Sequence, residues 1–97
     1  MTVVNRRTFT AARGKQDEVV DMLRGAAKST GTTYRIYRSY YGRFDEVVVE
    51  LEFDSMAQLE EMWAQFQGQP GSDDFFAKWN AITLGGQNEV WTLDADG

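Results

Sequence analysis

The stretch of sequence that decides the fold is Thr32–Phe53, which reads TTYRIYRSYYGRFDEVVVELEF. It contains two runs rich in β-branched and aromatic residues, Thr32–Tyr41 and Phe44–Phe53, which are separated by the pair Gly42-Arg43. A Gly-X pair suits a two-residue type II′ turn, because the first position of that turn has a positive φ. The stretch therefore predicts a β-hairpin closed by a two-residue turn.

The register of this hairpin sorts its side chains onto two faces, because neighbouring residues of a strand point to opposite sides of the sheet. One face is mostly apolar and should be covered by helices; its cross-strand pairs are Tyr34 with Leu51, Ile36 with Val49, Arg38 with Val47, and Tyr40 with Asp45. The other face combines ion pairs with apolar surface; its pairs are Arg35 with Glu50, Tyr37 with Val48, Ser39 with Glu46, and Tyr41 with Phe44.

The second face also needs partial cover. Short helices can cover one face of a small sheet but not both, so this face is expected to pack against a second copy of the chain. The alternative is a monomer whose solvent face carries aromatic residues, and monomers rarely expose large apolar patches. We therefore expect a homodimer.

The elements around the hairpin complete one domain, residues 1–97. Before it, the β-branched run Thr2–Thr10 predicts a strand, and the apolar spacing over Lys15–Lys28 predicts an amphipathic helix that ends at Gly31. After it come, in order, a helix capped by Ser55 and Gln58 that stops at Gly68, a helix from Ser72 to Gly85-Gly86, and a strand over Gln87–Leu93. The order β-α-β-β-α-α-β predicts an α+β, ferredoxin-like split βαβ fold with a four-stranded antiparallel sheet.

Composition excludes several classes of function. The net charge is −5 and no basic stripe is present, so nucleic acid is not an expected partner. The chain has no Cys and no His, which rules out a thiolate nucleophile, a Ser-His-Asp triad and His or Cys metal ligands. No apolar stretch follows the N-terminal charges or reaches the length of a membrane span, so we expect a cytoplasmic protein that does not bind membranes.

The acidic side chains do not predict a metal site. Several alternate along one side of the second hairpin strand, but same-face residues of a strand are about 6.5 Å apart and converge poorly on one ion. A solvated edge or an edge paired with arginine is the expected arrangement. The alternating carboxylates are Glu46, Glu50, Glu52 and Asp54.

A set of short motifs resembles a known superfamily. Asn5-x-Arg7-x-Phe9 is followed by Gly14, then by the hairpin, and then by Asp54-Ser55 before an aromatic-rich helix. This arrangement resembles the NIPSNAP-like branch of the dimeric α+β barrel superfamily, which also contains the antibiotic-biosynthesis-type monooxygenases. That branch usually has an acidic residue where Asn5 stands and Tyr where Phe9 stands.

The resemblance implies an arrangement of subunits and a place for a ligand. It implies two sheets packed face to face across a two-fold axis, with the last strand often contacting the neighbouring subunit. It also implies a ligand cleft in each subunit between sheet and helices, and no cofactor. Asn5 is similar to a catalytic Asn of the haem-degrading relatives, but their activity needs a helical His, which this chain lacks.

The candidate site combines polar strand residues with aromatic helix residues. By the strand parity that the resemblance implies, Asn5 and Arg7 share the helix-covered face with Tyr34 and Arg38. A guanidinium on such a face needs an anion or water, because its desolvation is costly. In the functional interpretation, the two arginines orient an acidic or enolic ligand whose apolar part contacts tyrosine and tryptophan. The predicted ligand-binding residues are Asn5, Arg7, Tyr34, Arg38, Trp63 and Trp79.

A structural interpretation of the same residues stays open. Arg38 would pair with Asp45 near the hairpin end, Arg7 would reach an acidic helix residue, and Trp63 and Trp79 would simply fill the core. The two interpretations lead to two classes of protein. The first is a cofactor-independent monooxygenase-like or isomerase-like enzyme acting on a small acidic or aromatic molecule. The second is a non-catalytic ligand-binding or structural dimer.

Overall fold

The sheet and helices follow the predicted order. The computed structural model describes every residue, Met1–Gly97. The strands are β1 (Val3–Ala11), β2 (Thr33–Arg38), β3 (Glu46–Phe53) and β4 (Thr83–Thr92), and the helices are α1 (Gln16–Thr30), α2 (Met56–Gln67) and α3 (Ser72–Ile82). The strands form one antiparallel sheet in the order β2-β3-β1-β4. This confirms the α+β, ferredoxin-like fold class.

The predicted register of β2 and β3 is confirmed. Tyr34 lies opposite Leu51 and Arg35 lies opposite Glu50. Leu51 is buried among core residues under the helices, whereas Arg35 is exposed on the other face and bonds to Glu50 and Glu52. Strict alternation excludes a pairing slipped by one residue, because such a slip would expose the whole apolar set.

The turn between these strands differs from the prediction. Ladder pairing ends where Ser39 N–H donates to the Glu46 carbonyl at 3.1 Å, so the two-residue turn was wrong. Beyond it, Tyr40, Tyr41 and Phe44 are 89%, 90% and 91% exposed. Aromatic residues favour strands through packing, and here no surface of the subunit covers them. Asp45 with φ 61° turns the chain out of the extended conformation instead.

The end of α3 also differs from the prediction. Gly85-Gly86 was expected to stop the helix, but α3 ends at Ile82 and both glycines lie within β4. Thr83 is already extended, and its hydroxyl donates to the Trp79 carbonyl at 2.8 Å. Gly86 serves strand pairing, because a Cβ there would overlap backbone atoms of β1, and Gly85 has a positive φ of 145°.

The core lies between the helices and the inner face of the sheet. Val3, Val47 and Val49 are fully buried there, and the helices add residues such as Met62 and Ile82. The predicted cap of α2 is present, since Ser55 Oγ accepts from the backbone N–H of the residue three positions later at 3.2 Å. None of the three helices is long and apolar enough to cross a membrane.

Candidate functional site

A small cavity opens between the sheet and all three helices. Its volume is about 70 Å³, and apolar side chains make up most of its wall. Arg7 is the only charged residue of the lining, and Thr30 is the only other polar one. The cavity therefore suits a ligand that has an apolar body and a single anionic group. The apolar lining consists of Phe9, Leu23, Ala26, Ala27, Val49, Leu51, Met62, Trp63, Phe66, Phe75, Phe76 and Trp79.

The aromatic residues of the wall form one interlocked cluster. Phe66 from α2 packs edge-to-face on Phe75 and Phe76 from α3, with ring centroids 5.1 and 5.9 Å apart. Phe75 stacks on Trp79 at 5.9 Å, and Trp79 meets Phe9 of β1 edge-to-face at 4.7 Å. The three aromatic residues of α3 are only half-buried, so α3 is the least firmly packed wall of the cavity.

Arg7 is the polar centre of the site. It lies on the inner face of β1, opposite Val49, and its guanidinium carbon is 3.9 Å from the ring centroid of Trp63. Its Nε donates to Asn88 Oδ1 at 3.3 Å, and it forms no salt bridge with any carboxylate of the chain. Burial lowers the pKa of the Arg7 guanidinium. An arginine starts from so high a pKa that it stays charged at neutral pH.

A short amide network supports Arg7 from β4. Asn88 lies opposite Arg7, and its Oδ1 also accepts from Asn5 Nδ2 at 2.6 Å. Asn5 is 1% exposed, and its Nδ2 donates a second bond to the Glu89 carbonyl at 2.9 Å. Asn5 Oδ1 has no partner, so the network keeps one unused buried acceptor. The amide network therefore holds Arg7 at its Nε and leaves the two terminal nitrogens of the guanidinium available.

The structure brings together only part of the predicted site. Arg7, Trp63 and Trp79 line the cavity. Asn5 does not line it, but it is linked to Arg7 because both side chains donate to Asn88 Oδ1. Tyr34 packs against the core without lining the cavity. The two tryptophans also pack against the core, so the structural and functional interpretations of them are compatible.

Arg38 lies outside the cavity. It sits at the end of β2 on the helix side, as the alternation predicts, but its side chain reaches the first turn of α1 and bonds to Asp17 at 2.7 Å. The structural interpretation placed Arg38 on Asp45, which instead sits in the irregular loop with a positive φ. Arg38 thus forms an exposed ion pair, whereas Arg7, expected there to meet an acidic helix residue, has none.

Sequence reasoning missed Asn88 and the aromatic residues of the cavity wall. Asn88 is found only by extending the parity of β1 to its partner β4, because it shares the inner face with Asn5 and Arg7. Phe66, Phe75 and Phe76 follow helical spacing and read as core residues from the sequence alone. The aromatic residues of α2 and α3 were the available signal for an aromatic pocket.

The architecture is that of a known group of solved structures. An uncharacterized NIPSNAP-like domain protein from Burkholderia xenovorans has a TM-score of 0.86 at 11% identity, covering 99% of this chain and 88% of that chain. A NIPSNAP family protein from Agrobacterium tumefaciens has a TM-score of 0.81 at 14% identity, covering 95% and 92%. These likenesses establish a shared fold.

The same fold occurs in an enzyme. SnoaB, a cofactor-independent oxygenase from Streptomyces nogalater, has a TM-score of 0.75 at 13% identity, covering 98% of this chain and 95% of that chain. No protein-family model and no curated protein matches the sequence. The resemblance to the NIPSNAP and monooxygenase-like proteins predicted from the short motifs is confirmed at the level of fold.

Proposed function

We propose that this protein binds a small molecule with one acidic group and an apolar, preferably aromatic, body in the cavity between sheet and helices. The observation that carries the proposal is the half-buried guanidinium of Arg7, which stacks on Trp63 and has no carboxylate partner. A partly desolvated cation without an anion costs free energy, and a ligand acid at Arg7 would offset that cost.

The size of the cavity limits the ligand. Its 70 Å³ is roughly half of the ~150 Å³ of an engineered apolar cavity that binds benzene. A one-ring acid therefore enters only when one wall moves outward. Helix α3 is the wall best placed to move, because Ile82 is its only buried residue. We accordingly propose small acids, with a single ring or a short apolar chain, as the ligand class.

Cofactor-independent oxygenation is a second candidate function, favoured by the fold shared with the oxygenase SnoaB. Oxidation of an activated methylene to a carbonyl by O₂ releases one water and balances without a further reductant. Arg7 would stabilise the enolate that reacts with O₂. No carboxylate lines the cavity, so the substrate must itself be acidic enough to ionise beside Arg7.

Calorimetric titration with benzoate and its neutral analogue benzamide tests the binding proposal. The purified protein should bind benzoate more tightly than benzamide, and Arg7→Met should lose that preference. Arg38→Met is the matched control, because it removes an exposed arginine that lies outside the cavity. Equal binding of both probes, or benzoate binding that survives Arg7→Met, would contradict the proposal.

The oxygenase candidate has its own measurement. An oxygen electrode should record uptake with benzoylacetone, an aryl 1,3-diketone with an acidic methylene, and uptake should fall in Arg7→Met but not in Arg38→Met. Binding of benzoate without oxygen uptake would support the alternative, a non-catalytic ligand-binding protein. Binding of neither probe would support a purely structural role.

A further inference from the structure

We infer that Asn88 is the positioning and specificity-determining residue of this site, a neutral acceptor that orients Arg7 without neutralising it and so reserves the guanidinium for a planar monocarboxylate ligand. This inference rests on the proposed binding function and specifies its ligand class.

The orientation of the network follows from its two ends. Glu89 offers a backbone carbonyl, so the Asn5 atom bonded to it at 2.9 Å must be the donor Nδ2. The same Nδ2 and the Nε of Arg7 both point at one Asn88 atom, at 2.6 and 3.3 Å. Because both partners are donors, that atom must be the acceptor Oδ1.

The identity of the acceptor decides the charge of the site. Three other sheet arginines, Arg6, Arg35 and Arg38, each pair with a carboxylate. Arg7 meets an amide oxygen of nearly the same shape as a carboxylate but without its charge. The neighbouring acid, Glu89, lies opposite Arg6 on the other face of the sheet, away from Arg7. Strand alternation therefore places the Glu89 carboxylate and the Asn88 amide on opposite faces of the sheet.

The remaining donors of Arg7 define the ligand group. Its Nε is occupied by Asn88, and Trp63 covers one face of the guanidinium. The terminal edge carries parallel N–H groups that match the two oxygens of a planar carboxylate. A single cation in an apolar wall matches one negative charge, whereas a phosphate dianion would keep an unneutralised charge in the cavity.

Asn88→Asp tests this role with minimal change of shape. The new carboxylate would pair with Arg7, so benzoate should bind at least tenfold more weakly while benzamide binding stays unchanged. Gln87→Glu is the matched control, because it adds the same charge one residue away on the outer face, opposite Thr8. That variant should bind both probes as the unmodified chain does.

The outcomes separate the two proposals. Unmodified protein that binds neither probe overturns the binding function itself. Unmodified protein that binds benzoate, together with Asn88→Asp that still binds it equally well, overturns only the role of Asn88. Equal weakening of benzoate and benzamide by Asn88→Asp shows a merely structural amide and also overturns it. Phenylphosphonate should bind more weakly than benzoate at a pH where it is a dianion, and tighter binding of phenylphosphonate would contradict the ligand class.

Discussion

The guanidinium carbon of Arg7 lies 3.9 Å from the ring centroid of Trp63, which joins the inner face of β1 to helix α2. Both side chains are half-buried, and a cation over an indole face gains about 0.5–2 kcal/mol, more when water is excluded. The contact stabilises the fold and at the same time holds the cation at the cavity.

The energy of this contact can be isolated with a double-mutant cycle. Arg7→Met, Trp63→Leu and the double variant should show a coupling of about 0.5–2 kcal/mol in the free energy of unfolding by urea. Arg7→Met alone should change stability by less than about 1 kcal/mol, because losing the contact is offset by removing a desolvated charge. The same cycle between Arg7 and the exposed Trp91 should show no coupling, and a coupling near zero for Trp63 would contradict the assignment.

Arg38 should behave as an ordinary surface ion pair. Its side chain is 45% exposed and that of Asp17 is 86% exposed, so Arg38→Ala should cost less than about 1 kcal/mol of stability. High salt should remove most of that difference, because screening weakens exposed pairs. Urea denaturation at low and high salt measures both quantities. A loss of benzoate affinity in Arg38→Ala would contradict this assignment and show that Arg38 contributes to ligand binding.

The hairpin shows which features the sequence determines. Alternation over Thr33–Arg38 and Glu46–Phe53 places Val47, Val49 and Leu51 together on the buried face, and it excludes a pairing slipped by one residue. The same β-prone composition continues into Ser39–Asp45, where pairing stops. An aromatic run continues a strand only where another part of the protein packs against its side chains. The local sequence does not contain that information. The partner of Arg38, Asp17, was missed for the same reason, since it comes from a different element, α1.

Gly86 should be intolerant of substitution because of the close approach of β1. A Cβ added there would overlap the Thr8 carbonyl oxygen, so Gly86→Ala should destabilise the protein by about 2 kcal/mol or more. Gly25→Ala is the control, because it lies in α1 with no atom within 4 Å of an added Cβ. That change should stabilise by up to about 1 kcal/mol. Thermal unfolding measures both, and a neutral Gly86→Ala would contradict the pairing of β1 with β4.

The pairing of β4 with β1 determines how much of the site could be predicted. A Gly-Gly pair after a helix reads as a helix stop, and that interpretation removed the start of β4 from the sheet. The predicted strand Gln87–Leu93 still contained Asn88, but the local sequence does not determine which of its residues lies opposite Arg7. The place of Arg7 on the inner face was predictable from the strand parity that the resemblance implies. The amide that holds it was not, because their bond joins residues at opposite ends of the chain.

The outer face of the sheet is proposed to form the contact of a homodimer. Tyr37 is 45% exposed and Trp91 is 55% exposed on this face, and the half-buried Val48 lies between Tyr37 and Thr8. Around them Arg6 and Arg35 pair with Glu50 and Glu52 of their own subunit, so neither arginine needs a partner from another copy. An isologous contact would bring this surface against itself across a two-fold axis.

Val48→Lys tests that contact directly. A two-fold axis would place both new ammonium groups in the same apolar contact, so the variant should sediment as a monomer of 11.0 kDa, whereas the unmodified chain should sediment at twice that mass. Glu46 and Glu50 share the outer face with Val48, so the added lysine should be tolerated within the subunit and the far-ultraviolet circular dichroism should not change. Ala77→Lys adds the same charge to an exposed position of α3, in the opposite layer, and should remain dimeric. Sedimentation equilibrium at micromolar concentration distinguishes these states. A single 11.0 kDa species for the unmodified chain would show that the outer face is an ordinary solvent surface.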